Sequence, residues 1–204
     1  MRVTTLLSGV LLVAVGCIPA SAQSAAHAAH GQSAAMGSGQ AASAEHGTEV
    51  ARARADITGK GIVGTVDLVE LKRGTATWVQ VTLKAKGLTP GLHGVHLHAV
   101  GKCEPDFLAA GGHFDPGPAS NTDPDANHPF HMGDLPNLDV NAGGEGSFVA
   151  ATTRVTLSDG PLSVFDADGT AIILHANPDQ GITGEPKSGV SGGPRIACGV
   201  IRKN

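Results

Sequence analysis

Aromatic side chains are scarce in this 204-residue chain: they make up 3% of it, tyrosine is absent and tryptophan occurs once. That scarcity argues against a helix bundle built on a large aromatic core. Basic charge is not in excess, since 14 Lys and Arg stand against 18 Asp and Glu for a net charge of −4. A surface for nucleic acid is therefore not expected, and nucleic acid is set aside as a partner. No apolar run is long enough for a membrane-spanning helix; residues 6–15 are too few. What the chain does have is glycine, 29 of them, with 12 prolines and 10 histidines. Glycine and proline at that density suit short strands joined by tight turns. Histidine is the commonest metal ligand, so the positions of those ten matter more than their number.

Residues 1–22 read as a secretory signal. Arg2 supplies the positive start, residues 6–15 the apolar stretch, and Ala20-Ser21-Ala22 the small-residue cleavage site before Gln23. Export to the periplasm or cell envelope follows as an expectation. The alternative is a lipid anchor on Cys17, which ends the run Ala14-Val15-Gly16-Cys17. Residues 23–50 are mostly Ala, Ser, Gly, Gln and His. They offer too little apolar surface to offset ordering entropy, so a disordered linker is expected. His27, His30, His46 and Met36 lie there. A plain tether is preferred to a metal-collecting arm, because nothing holds those side chains in a coordination geometry.

Residues 51–204 read as the folded domain. Strands are expected over residues 61–71, 75–84, 95–99, 171–175 and 196–201, with one or two more in 145–157. The clearest is 75–84, where Thr77, Val79, Val81 and Leu83 alternate with Trp78, Gln80, Thr82 and Lys84. The fold class is all-β, a sandwich or barrel. Residues 101–141 carry no strand signal but do carry His and Asp, which favours a functional loop. Cys103 and Cys198 are an even pair in a chain that reads as exported, and are expected to form a disulfide; two buried thiols are the alternative.

His96 and His98 are two apart on an expected strand, so both imidazoles point to one face and can reach one metal. His113 follows a Gly111-Gly112 pair that lets the loop bend. His128, His131 and Asp134 are spaced by three in a Pro- and Gly-rich loop, a donor set that suits zinc with a fourth position open. His175 ends an apolar strand; alone it would read as a core or capping residue.

Four motifs then occur in order: Gly91-Leu92-His93-Gly94-Val95-His96-Leu97-His98, Gly111-Gly112-His113-Phe114-Asp115-Pro116, His131-Met132-Gly133-Asp134-Leu135, and Gly193-Pro194-Arg195-Ile196-Ala197-Cys198-Gly199-Val200. Together they resemble the copper/zinc superoxide dismutases, whose fold is a Greek-key β-sandwich or barrel with long metal-binding loops. The resemblance implies dismutation of superoxide to dioxygen and hydrogen peroxide through a Cu(II)/Cu(I) cycle at a His-bridged copper–zinc site. His96, His98, His113 and His175 correspond to copper ligands, with His113 bridging to zinc; His131 and Asp134 correspond to zinc ligands. The third zinc histidine departs from the familiar spacing of eight or nine after the bridge. Asn121 and Thr122 stand there, and His128 is the candidate that replaces it. Asp179 corresponds to the carboxylate linking a copper His to a zinc His, and His93 to a buried His that binds no metal. Arg195 corresponds to the guanidinium that draws in the anion, and Cys103–Cys198 to the intrasubunit bridge. The segment 180–194 is shorter and less charged than the steering loop of familiar members. A homodimer is common in the family; no interface is identifiable in this sequence. A copper carrier and a structural sandwich are the competing readings. The first would lose part of the ligand set or the Arg, and the second would need no such histidines.

Overall fold

The computed structural model describes residues 47–118, 120–126 and 130–204. The leader, the linker up to residue 46 and the proposed ligand His128 therefore lie outside the described residues. The described residues form ten strands: β1 Thr48–Gly59, β2 Ile62–Arg73, β3 Ala76–Lys86, β4 Gly91–His93, β5 Val95–His98, β6 Leu138–Val140, β7 Glu145–Thr152, β8 Ala171–His175, β9 Arg195–Val200 and β10 Arg202–Lys203. The one helical piece among the described residues is a 3-10 turn, Phe107–Ala110. Asp106 caps it, accepting a hydrogen bond from the Leu108 N–H at 2.8 Å.

Two-residue loops close the β1–β2 and β2–β3 hairpins, and Gly61 and Gly74 take the positive φ (74° and 60°) that such loops require. Period-two patterning sets the faces. On β3, Val79, Val81, Leu83 and Ala85 are buried, whereas Trp78, Gln80, Thr82 and Lys84 are not. On β2, Ile62, Val66 and Leu68 point inward, and so does Glu70 at 3% exposure. Its carboxylate accepts the backbone N–H groups of Leu157 (2.7 Å) and Ser158 (2.6 Å), which braces the segment after β7. The hydrogen-bonded order is β4-β6-β7-β3-β2-β1-β9-β8-β5, with β10 on β1. The two ends of that path, β4 and β5, are separated in the chain by Gly94 alone. The antiparallel sheet therefore curls until it nearly closes into a barrel. The out-of-order neighbours, β7 beside β3 and β9 beside β1, are the Greek-key crossings. Leu68, Val81, Leu83, Leu97, Phe114, Leu138 and Leu174 fill the interior.

The expected strands over 171–175 and 95–99 occur within a residue of their bounds, and 145–157 holds a single strand ending at Thr152. Strand β1 begins at Thr48, three residues ahead of 51, and the region 101–141 contains both the 3-10 turn and β6. β4 and β6 are three residues each, too short to carry a recognisable alternation.

Candidate metal centre

β5 is buried on both faces, so all four of its residues are inaccessible, His96 and His98 included. It pairs antiparallel with β8, and β8 ends in His175. On its other side β5 meets the loop segments that carry His113 and Asp134, through isolated bridges His98↔His113 and His96↔Asp134. Gly112 makes this approach possible. A Cβ there would fall 1.9 Å from the Thr122 carbonyl oxygen, and His113 N donates to that same oxygen at 3.0 Å. Barrel wall and loop thus deliver four imidazoles to one point. One donor nitrogen from each of His96, His98, His113 and His175 lies within 4.8 Å of the others.

Each ring is aimed by what its outer nitrogen does. His96 Nε2 donates to Asp179 Oδ2 at 2.8 Å, His98 Nδ1 to the Gly111 carbonyl at 3.0 Å, and His175 Nδ1 to the Gly193 carbonyl at 3.0 Å. The opposite nitrogens, His96 Nδ1, His98 Nε2, His113 Nε2 and His175 Nε2, are buried and find no hydrogen-bond partner among the described residues. A buried polar atom left unpaired costs about 1–3 kcal/mol, and four converging on one spot make a cradle whose natural occupant is a cation. Burial, and after it the neighbouring imidazoles and the Arg195 charge, push His98 well below the usual histidine range. Burial and the neighbouring rings push His113 down to about 4, against an opposing hydrogen bond to Asp134, and His175 down to about 3. These three rings, His98, His113 and His175, are neutral at physiological pH, the form that binds a metal. A set of nitrogen donors of this kind suits copper.

His113 also faces the other way. Its Nδ1 lies 2.9 Å from Asp134 Oδ1 and 3.1 Å from His131 Nδ1. His113, His131 and Asp134 form a second group with converging donor atoms, sharing His113 with the first. Burial raises the Asp134 carboxyl, but hydrogen bonds from His113 and His131 outweigh it and hold the group well below the usual range. Burial likewise lowers His131, but the Asp134 carboxylate outweighs it and holds the ring above its ordinary value. Two imidazoles and a carboxylate with a position to spare fit zinc; His128, the expected further donor, lies outside the described residues.

The remaining expected residues occupy coherent places. His93 Nδ1 lies 2.7 Å from the His175 carbonyl and Nε2 lies 2.8 Å from the Thr89 carbonyl, so backbone engages both nitrogens and neither faces the cluster. The Cys103–Cys198 disulfide is present. Arg195 donates from Nη1 to the Phe107 carbonyl at 2.7 Å and from Nη2 to the Gly111 carbonyl at 2.6 Å. Gly111 therefore links the guanidinium to His98. Hydrogen bonds to His96 and Gly181 hold Asp179 below the usual carboxylate range, against the effect of burial.

Several supporting residues escaped the sequence reading. Asn137 brackets the Asp179 peptide, donating to its carbonyl and accepting its N–H, each at 2.9 Å. Asp125, 6% exposed, accepts from Gly189 N (3.1 Å) and Ser191 N (3.3 Å), joining the zinc-side loop to segment 180–194. Asp115 accepts from Asn121 N at 2.8 Å. The partners of Asn137 and Asp125 are distant in sequence, so spacing held no signal for them.

Comparison with known proteins agrees with this geometry. The family model described as copper/zinc superoxide dismutase matches residues 62–201. A superoxide dismutase [Cu-Zn] of Caulobacter vibrioides is 40% identical over 147 residues, covering 68% of this chain and 78% of its own length. A superoxide dismutase-like protein of Bacillus subtilis is 36% identical over 144 residues, covering 68% and 70%. Among solved structures, the clock protein EA4 superposes with a TM-score of 0.61 at 30% identity, over 76% of this chain and 95% of that one. The matched span runs from β2 to the end of β9 and takes in every histidine of the two clusters, so the chain belongs to the copper/zinc superoxide dismutase family.

Proposed function

We propose that this chain converts superoxide to dioxygen and hydrogen peroxide, with copper held by His96, His98, His113 and His175, and zinc by His113, His128, His131 and Asp134. The observation that carries the reading is the division of labour on each ring: outer nitrogens tied to the chain, inner nitrogens buried and unpartnered. Copper supplies a one-electron couple at such a site, and zinc a charge without redox chemistry. The chain supplies the rest. His113 is the ring with a donor atom in each group, so its Nε2 is the atom at which a proton is held and released between the two half-reactions. Asp179 keeps His96 in one tautomer and one orientation. Arg195 presents a fixed positive charge to the incoming anion, its fork already oriented by two carbonyls.

The test is the rate of superoxide loss catalysed by the mature chain loaded with both metals, beside a His96→Ala control. Fast loss that disappears in the control supports the reading. Bound copper with no superoxide loss would move the assignment to a copper carrier.

The proposal extends to location and assembly. The apolar stretch 6–15 and Ala20-Ser21-Ala22 support export, so the superoxide removed would arise in the periplasm or envelope. The mass of the mature protein separates cleavage before Gln23 from a lipid on Cys17. Sedimentation separates a homodimer, which the family resemblance favours, from a monomer.

A further inference from the structure

Asp134 sits on a short segment laid against β5. Leu97 N donates to the Gly133 carbonyl at 2.9 Å and Leu135 N to the Val95 carbonyl at 3.2 Å. β5 thus holds the residue on each side of Asp134, but not the Asp134 carbonyl, which turns outward. Among the described residues, the donor that meets that carbonyl is Arg154 Nη2.

Arg154 comes two residues after the end of β7, where its N–H donates to Thr152 Oγ1 at 3.2 Å and the strand gives way to a bend. Its side chain is partly buried and, among the described residues, makes no ion pair. A partly buried cation without a carboxylate partner is an expensive choice for an ordinary wall residue, for which an apolar side chain would serve. Placed on a single outward carbonyl, it makes a charge-assisted bond about twice as strong as a neutral one. Arg154 also shares the wall of a cavity of about 360 Å³ with Asp134, Asn137 and Asp179, so it lies behind the metal centre, on the side away from the imidazole cluster.

We propose that Arg154 is a positioning residue for the zinc site. It fixes the Asp134 peptide from behind, so that Oδ1 stays directed at His113 Nδ1 and Oδ2 stays on the His131 N–H, 2.9 Å away in each case. The inference rests on Asp134 being a zinc ligand. Asp134 also stands opposite His96 in the bridge to β5, but His96 is held independently by Asp179 and by β8. The effect of Arg154 therefore falls on zinc and spares copper.

The experiment measures zinc and copper affinities by chelator competition on the full mature chain, for wild type, Arg154→Met, Arg154→Lys and Asp134→Ala. The Met variant keeps the apolar stem and removes every donor. It is expected to weaken zinc by about 10- to 100-fold, the usual size of an outer-shell loss, with copper affinity and the melting temperature of the metal-free protein unchanged. Cobalt(II), a visible stand-in for zinc, should show displaced absorption bands in Arg154→Met, and Arg154→Lys should recover part of the affinity. Unchanged zinc affinity in Arg154→Met, while Asp134→Ala loses zinc, overturns the role of Arg154 alone. A fall shared equally by both metals, or matched by a lower melting temperature, overturns it too, because it marks a merely structural residue. Zinc retained by Asp134→Ala overturns the ligand reading on which the inference stands.

Discussion

Reduction of the Cys103–Cys198 bridge probes stability and catalysis at once. The bridge spans 95 residues. In the chain-entropy model a loop of that length removes roughly 16 cal/mol/K from the unfolded ensemble, or about 4.7 kcal/mol at 25 °C. A domain of this size shifts by about 2–4 °C per kcal/mol, so the metal-free protein should melt about 10–19 °C lower when reduced. The catalytic consequence follows from position. Arg195 lies three residues before Cys198 on β9, and both carbonyls that hold its guanidinium, Phe107 and Gly111, belong to the loop that Cys103 anchors. With the bridge open, loop and strand stay joined across this gap by those two bonds and by the small apolar cluster of Ala110, Ile173 and Cys198 with Phe107 packed on it. The second-order rate of superoxide loss in the metal-loaded, reduced protein should then fall part of the way towards that of Arg195→Ala. Calorimetry of oxidised and reduced metal-free protein, with superoxide decay followed after rapid mixing, measures both. A melting shift under about 3 °C would refute the loop-entropy reasoning. A large shift with an unchanged rate would refute the link between the bridge and Arg195.

Three further outcomes follow from the same geometry. Arg195→Ala should lower the second-order rate by about 10- to 100-fold at low salt, less at high salt, with copper retained; an unchanged rate in superoxide decay would remove the steering role. His128→Ala should weaken zinc by more than about 100-fold, since a zinc site worth about 10–16 kcal/mol shared over four ligands puts each near 3 kcal/mol; chelator competition showing wild-type zinc affinity would mean another residue completes the site. Glu70→Ala should destabilise the fold by about 2–4 kcal/mol in urea titration, because the Leu157 and Ser158 amides lose their acceptor, while the rate per folded molecule stays the same.

What was legible in the sequence was what chemistry writes locally. The alternation on β3 survives because one face meets the core and the other meets water. The His96-Leu97-His98 spacing is legible because a strand turns every second residue to one side. β4 and β6 were illegible because three residues cannot display a period, and their pairing comes from the closing of the barrel. Glu70 breaks the pattern that identifies β2, since a carboxylate at an inward position looks like an error until the two amides that need it are in view. Asn137, Asp125 and Arg154 were missed for a related reason. Each acts on a backbone group 20 to 66 residues away, and a backbone group has no signature in sequence.

The donor atoms of this centre come from side chains, but their aim comes from the main chain. The Gly111 carbonyl orients His98, the Gly193 carbonyl orients His175, and the His131 N–H orients Asp134. His96 and His113 are the exceptions, oriented by the Asp179 and Asp134 carboxylates, and Asp179 is itself held by a peptide-to-amide pairing with Asn137. A carbonyl can only accept, so a histidine bound to one must carry its proton on that side and offer a lone pair on the other. Tautomer and direction are then set together before any metal arrives. Substituting a ligand removes one donor, whereas moving any of these loops turns a ring while leaving its chemistry intact. Two of the carbonyls lie in the segment pinned by the disulfide and in the loop next to Arg195, so the same displacements that turn a histidine of the cluster also move the Arg195 guanidinium. Metal binding and substrate capture in this fold should therefore weaken together when the loops loosen, and separately when single side chains are replaced.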